Sequence, residues 1–136
     1  MLNMLRLEIV TPEKRVLDAE VDSVTVPTAS GEVGLLASHA PLISAVKPGL
    51  LGYTVKGSVE RLAVSGGFVE VSGDKISVLV DAAERADEID QEDARSRRDE
   101  AEKGLAAAGL SSAEEASAAR ELIDHAAARL ALAAER

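Results

Sequence analysis

The sequence predicts an antiparallel β-sandwich or flattened barrel followed by a helical hairpin, on three observations. From Leu5 to Asp81 short apolar runs alternate with turn signals, and no helical period intervenes. After Asp81 the composition turns abruptly to Ala, Glu, Asp and Arg, and Ile89 and Ile123 are the only β-branched residues left. Two start signals then divide this second region into two helices.

Taken in order, Leu5, Leu7 and Ile9 alternate with Arg6 and Glu8, which gives a first strand one apolar and one wet face. Thr11-Pro12 breaks it, and Val21 to Val26 supplies the next. Val33 to Leu36 and Leu42 to Val46 are strand-length runs bounded by Ser30-Gly31 and Pro48-Gly49, with His39-Ala40-Pro41 in the loop between them. Pro41 restricts Ala40 to extended conformations, leaving the His39 ring either to bond the turn backbone or to meet a partner. Leu51 to Val55, a turn near Lys56-Gly57-Ser58, and Val59 to Val64 follow. Phe68, Val69 and Val71 then lead through Ser72-Gly73-Asp74-Lys75 into Ile76 to Val80.

In the second region Asp90 can cap a helix whose first turn carries Glu92 and Asp93, where the helix dipole favours negative charge, and Gly109 ends it. Gly104 inside that helix costs about 1 kcal/mol relative to alanine. Ser111 and Ser112, with Glu114 and Glu115 three residues on, have the spacing of a capping box for the second helix. Along it Ala116, Ala119, Ile123, Ala126, Leu130 and Ala133 form one seam, which Ala94, Ala101, Leu105 and Ala108 answer. Each buried methylene contributes only about 0.8 kcal/mol, so a seam of alanines predicts an arm weakly held to itself and to the sheet domain.

The chain of 136 residues carries a formal charge of −9, with 8 basic and 12 acidic residues up to Asp87 and 7 and 12 beyond it. Both halves are acidic and Tyr53 and Phe68 are the only aromatics, so nucleic acid and anionic lipid are poor partners. The absence of cysteine excludes disulfides and thiolate chemistry. No apolar run approaches the roughly 18 residues of a membrane span, so a soluble chain without a targeting segment is expected. Enzyme signatures are missing: Ala63 spoils a Gly-x-Ser-x-Gly frame around Ser65, there is no phosphate loop, and His39 and His125 are the only histidines. No metal-ligand cluster stands out.

Taken together, Gly31-Glu32-Val33-Gly34-Leu35, His39-Ala40-Pro41-Leu42, Lys47-Pro48-Gly49, Ser65-Gly66-Gly67-Phe68 with Glu70-Val71, and Ile89-Asp90 at the start of the helical region resemble the ε subunit of the bacterial F-type ATP synthase over essentially the whole chain. The resemblance implies a β-sandwich of about ten antiparallel strands, residues 1–86, and a mobile, inhibitory hairpin, residues 87–136. It implies a non-catalytic rotor subunit on γ at the foot of the central stalk. Glu32 and His39 would then face the c-ring, and the arm would extend at times toward the α and β subunits and block hydrolysis. The membrane would be reached only through the complex, on the cytoplasmic side of the inner (plasma) membrane. A solvated turn charge is the plain alternative for Glu32.

Some members of that family bind ATP in the folded hairpin through Ile or Leu, Asp, two variable residues, Arg and Ala. Here Ile89, Asp90 and Ala94 keep their places, but Asp93 stands where the arginine would be and reverses the local charge. Arg97, one turn on, is the first candidate to compensate, with Arg95, Arg98, Arg120 and Arg129 behind it; Arg97 can equally pair with Asp93 at i, i+4. Arg120 and Arg129 also lie where inserted arms carry positive charge toward the catalytic subunits, against the plain reading of a solvated face paired with Glu121 or Asp124. The alternative function is a free-standing sandwich adaptor whose helical arm binds a partner helix.

Overall fold

Residues 4–37, 40–108 and 113–135 are described by the structure, a computed structural model. Ten strands form the first region: β1 (Leu5–Val10), β2 (Arg15–Val21), β3 (Ser23–Thr28), β4 (Gly31–Leu36), β5 (Leu42–Val46), β6 (Gly49–Val55), β7 (Ser58–Val64), β8 (Gly67–Ser72), β9 (Lys75–Val80) and β10 (Ala83–Glu84). Their hydrogen-bonded order is β10-β7-β6-β3-β5-β8-β9-β1-β2, with β4 branching from β3. The first half of β3 pairs with β6 and its last residue, Thr28, pairs with Val46 of β5, so β3 is where one layer passes into the other.

Alternation builds the core. Leu5, Leu7 and Ile9 of β1, Val24 and Val26 of β3, Leu51 and Tyr53 of β6, Val69 and Val71 of β8, and Ile76, Val78 and Val80 of β9 are all buried. The residues between them face out or toward the layer edge, as a period of two requires. Among the described residues every ladder is antiparallel except one: β1 runs parallel to β9, Leu7 beside Ile76 and Ile9 beside Val78. A parallel pair needs a long crossover, and here nearly the whole sheet lies between the two strands.

The β2 strand went unread in the sequence because its only fully buried residue is Val21; it is an edge strand. It is turned back onto β1 by Thr11, whose N–H donates to the Lys14 carbonyl at 2.9 Å. Arg6 and Arg15 both meet Asp18 across its outer surface. The β6–β7 turn places Lys56 (φ 51°) and Gly57 (φ 83°) in the left-handed region, which suits the twist of a two-residue hairpin. Lys56 tolerates this because its N–H donates to Asp22 Oδ2 at 2.8 Å.

A single 3-10 turn at Ala86–Glu88 joins the sheet to α1 (Gln91–Ala108), and α2 (Ala113–Ala133) runs back. Asp90 caps α1 as expected, its Oδ1 accepting the Asp93 N–H at 3.1 Å. The Ser111 and Ser112 start signal and Gly109 fall outside the described residues. On α2 the expected seam is present: Ala116, Ala126 and Ala133 are buried and Ala119, Ile123 and Leu130 half-buried. A second stripe on α2 was not foreseen. Ala128, Leu132 and Ala133 pack with Ala63, Ile89, Leu50 and Ala86, which lays the helix against β6 and β7 and folds the arm down on the sandwich. Arg61 of β7 and Glu135 add an ion pair at the rim of this contact.

Candidate functional sites

Three places carry chemistry outside the core. The first is β4, which pairs with β3 from Ser23↔Leu36 to Thr28↔Gly31 and has no other strand partner among the described residues. Thr28 Oγ1 donates to the Gly31 carbonyl at 2.8 Å and accepts the Ser30 N–H at 3.2 Å, which fixes the turn before it. Glu32, just after that turn, is exposed opposite Pro27, and Leu36 at the far end of the strand is 64% exposed. His39 lies outside the described residues.

The second place is the outer face of β5, β8 and β9. Ala45, Phe68 and Leu79 stand in one cross-strand row, because Ala45 pairs with Phe68 and Phe68 with Leu79. Phe68 is 61% and Leu79 53% exposed. With Ala118, Leu122 and His125 of α2 they line an open groove of about 890 Å³. Sequence reading quoted Phe68 without assigning it this role. The available signal was its phase: with Val69 and Val71 inside, Phe68 and Glu70 must point out.

The third place is the root of the arm. Ile89 and Ala94 are buried at the entry of α1. Asp93 accepts from Arg97 Nε at 2.9 Å, the i, i+4 pair anticipated above, and also from Arg129 Nη1 at 2.9 Å. Arg129 Nε lies 2.8 Å from Glu84 Oε1 without hydrogen-bond alignment, while its Nη2 donates to Glu84 Oε2 at 3.3 Å. Arg129 is therefore no solvated residue paired with Glu121 or Asp124. It is 6% exposed, because it shares the second stripe of α2 and that stripe is covered by the sandwich and α1. Arg120 is exposed on the same helix. Glu84 is 45 residues from Arg129, and no local spacing announced it.

Electrostatics follow from this geometry. Burial works against the Arg129 charge, but its hydrogen bonds to Asp93 and Glu84 hold its pKa above the ordinary guanidinium value. The Arg129 hydrogen bond, against some burial and with help from Arg97, holds the Asp93 carboxyl below its usual range. His125, one turn before Arg129, is pushed down first by burial and then by Arg129, and its Nε2 is buried without a hydrogen-bond partner. Among the described residues no cluster of His, Asp or Glu is placed to hold a metal ion. The exposed strand end and the apolar groove suit protein contacts, and the arm root suits a mechanical joint.

Comparison with known proteins gives a consistent picture. The family described as ATP synthase, Delta/Epsilon chain, beta-sandwich domain matches residues 4–86. The chain is similar to the ATP synthase epsilon chain of Carboxydothermus hydrogenoformans, 48% identical over 78% of this chain and 79% of that one. Similarity to the ATP synthase epsilon chain of Nitratidesulfovibrio vulgaris, 45% identical, extends over 94% of this chain and 87% of the relative, taking in most of the arm. In fold it resembles a chain in the cryo-EM structure of the Euglena gracilis mitochondrial ATP synthase, with a TM-score of 0.76 at 21% identity, covering 98% of this chain and 82% of that one.

Proposed function

This chain belongs to the ATP synthase epsilon-chain family, and from that premise we propose that it is a non-catalytic rotor subunit that links γ to the c-ring in the central stalk. The observation that carries the reading is similarity to an epsilon chain across sandwich and arm together, at 45% identity over 94% of the chain. Three features of the chain suit the role. The exposed Glu32 end of β4 offers a carboxylate for the polar loops of the c-ring, and His39 follows three residues after that strand in sequence. The Phe68, Leu79 and Leu122 groove offers γ an apolar seat spanning both domains. The folded arm is small-residue packed, so it can leave the sandwich and reach the α and β subunits to stop hydrolysis, with Arg120 and, once freed, Arg129 carrying the charge.

The role requires no cofactor. ATP is not expected at the arm root, where Asp93 takes the place of the motif arginine. No helix among the described residues is long and apolar enough to cross a membrane, and the chain reaches the cytoplasmic face of the inner (plasma) membrane as a peripheral part of the complex.

The test is gentle detergent extraction of the tagged chain from its own cells. Co-isolation with γ, α, β and the c-ring is expected; recovery alone, or with an unrelated helical partner, overturns the reading in favour of an adaptor. With the complex in hand, Glu32→Lys should lower proton-driven ATP synthesis in membrane vesicles while the isolated chain keeps its thermal transition. Undiminished synthesis removes Glu32 from the c-ring contact.

A further inference from the structure

The arm root contains the one charged side chain that is more than nine-tenths buried among the described residues, Arg129, and it joins three elements that are far apart in sequence. Its Nη1 reaches Asp93 on α1 and its Nε and Nη2 reach Glu84 on β10, while Arg129 itself sits on α2. Arg97 closes the far side of Asp93. These groups surround a cleft of about 290 Å³ whose other walls are Ala82, Leu122, His125 and Ala126.

Two guanidinium groups converge on a single carboxylate oxygen, Asp93 Oδ2, which accepts from Arg97 Nε and from Arg129 Nη1. Two guanidinium groups around one acceptor are the donor arrangement of an anion receptor. The receptor is filled by the chain itself. With Asp93 in place the two arginines are balanced by two carboxylates; without it, Arg97 and Arg129 share Glu84 alone and the cleft at the joint of three elements carries a net positive charge.

We propose that Asp93 is the built-in anion of this cleft: its carboxylate fills the place between Arg97 and Arg129 and, with Glu84, clamps α1, α2 and β10 together, so that the arm folds down without any bound anionic ligand. Three consequences distinguish the clamp from a surface ion pair. Arg129 is desolvated, so loss of either carboxylate leaves a buried charge short of a partner, which costs far more than an exposed pair contributes. The clamp also crosses the α2–sandwich contact, so it opens only when the arm leaves. Finally, removing Asp93 converts a self-satisfied cleft into one that accepts an external anion.

The inference rests on the geometry of this chain alone and stands whether or not the rotor assignment does. It is tested on the full chain by pulsed double-resonance distance measurement between nitroxides at Ser58→Cys and Ser117→Cys, two exposed positions on β7 and α2 in a chain without native cysteine. Asp93→Ala, Asp93→Asn and Arg129→Gln are compared with the parent, and amide spectra of the sandwich core confirm that each remains folded. The parent should show one narrow distance distribution that millimolar ATP or inorganic phosphate leaves unchanged. Each variant should raise the open fraction by about tenfold or more, as expected on removing one partner from a largely desolvated pair. ATP or phosphate should reclose Asp93→Ala. A parent arm that is open and closes on ATP overturns the proposal, as do variants as closed as the parent. Failure of both anions to reclose Asp93→Ala overturns the assignment of the cleft as an anion receptor.

Discussion

Leu132 is the side chain on which the arm's attachment to the sandwich most depends. It is 4% exposed, sits in the second stripe of α2, and packs with Ala63 of β7 and Ile89 at the start of the arm. Its neighbours in that contact are mostly alanines, so no other side chain there can take over its area. Leu132→Ala removes three methylene-sized groups at about 0.8 kcal/mol each. Exposed residues flank the site on α2, Ala131 on one side and Ala134 and Glu135 on the other, so water can enter and the cavity penalty of a closed core is small. The loss is therefore about 2–3 kcal/mol, which shifts the docking equilibrium roughly 30- to 160-fold toward a released arm. Native-state hydrogen exchange reads this directly. Amides of α1 and α2 should lose protection by that factor, while those of β1, β8 and β9, whose core does not include Leu132, keep theirs. Equal loss of protection in the core strands would refute the reasoning, because it would show that arm and sandwich open as one cooperative unit.

A Cβ on Gly67 would lie 1.9 Å from the Leu79 carbonyl oxygen, backbone that cannot turn aside, so Gly67→Ala should force β8 and β9 apart and lower the thermal midpoint of the sandwich; an unchanged midpoint would show that the ladder there is soft. By contrast a Cβ on Gly104 meets nothing within 4 Å, and Gly104→Ala should strengthen α1 by about 1 kcal/mol, read as slower amide exchange in its last turns. Acid should loosen the arm in two stages. The unfolded chain protonates His125 near pH 6.5 while burial and Arg129 keep the folded form neutral, so docking is at full strength above about 6.5 and weakens as pH falls toward the depressed folded value. Asp93, held below its ordinary 3.8 chiefly by Arg129, contributes above that pH and is lost as acidity passes its folded value. His125→Gln should abolish the upper stage and leave the lower, a comparison followed by far-ultraviolet dichroism, with the ring resonances of His125 in the parent marking where the upper stage occurs.

Legibility in the sequence tracked the range over which an interaction acts. Period-two alternation placed β1 and β9 and their inward faces, because a strand's own pleat decides which residues share a side. The Asp90 cap and the Arg97–Asp93 pair were readable for a similar reason, since both join residues within one helical turn. That the arm packs through small side chains was also legible, in the excess of alanine over leucine along the helix faces. What tertiary structure decided was which faces meet. The β2 strand exists because β1 offers it an edge, although only Val21 is fully buried along it. The parallel pairing of β1 with β9 depends on how the sheet curls, which no local period encodes. The α2 helix carries two apolar stripes; the one that meets α1 was found, whereas the one that meets the sandwich became visible only once Ala63 and Ile89 covered it. Arg129 shows the limit most clearly. On its own helix it reads as a surface cation, and its burial between Glu84 and Asp93, 45 and 36 residues away, follows from the docking of three elements that only the folded chain brings together.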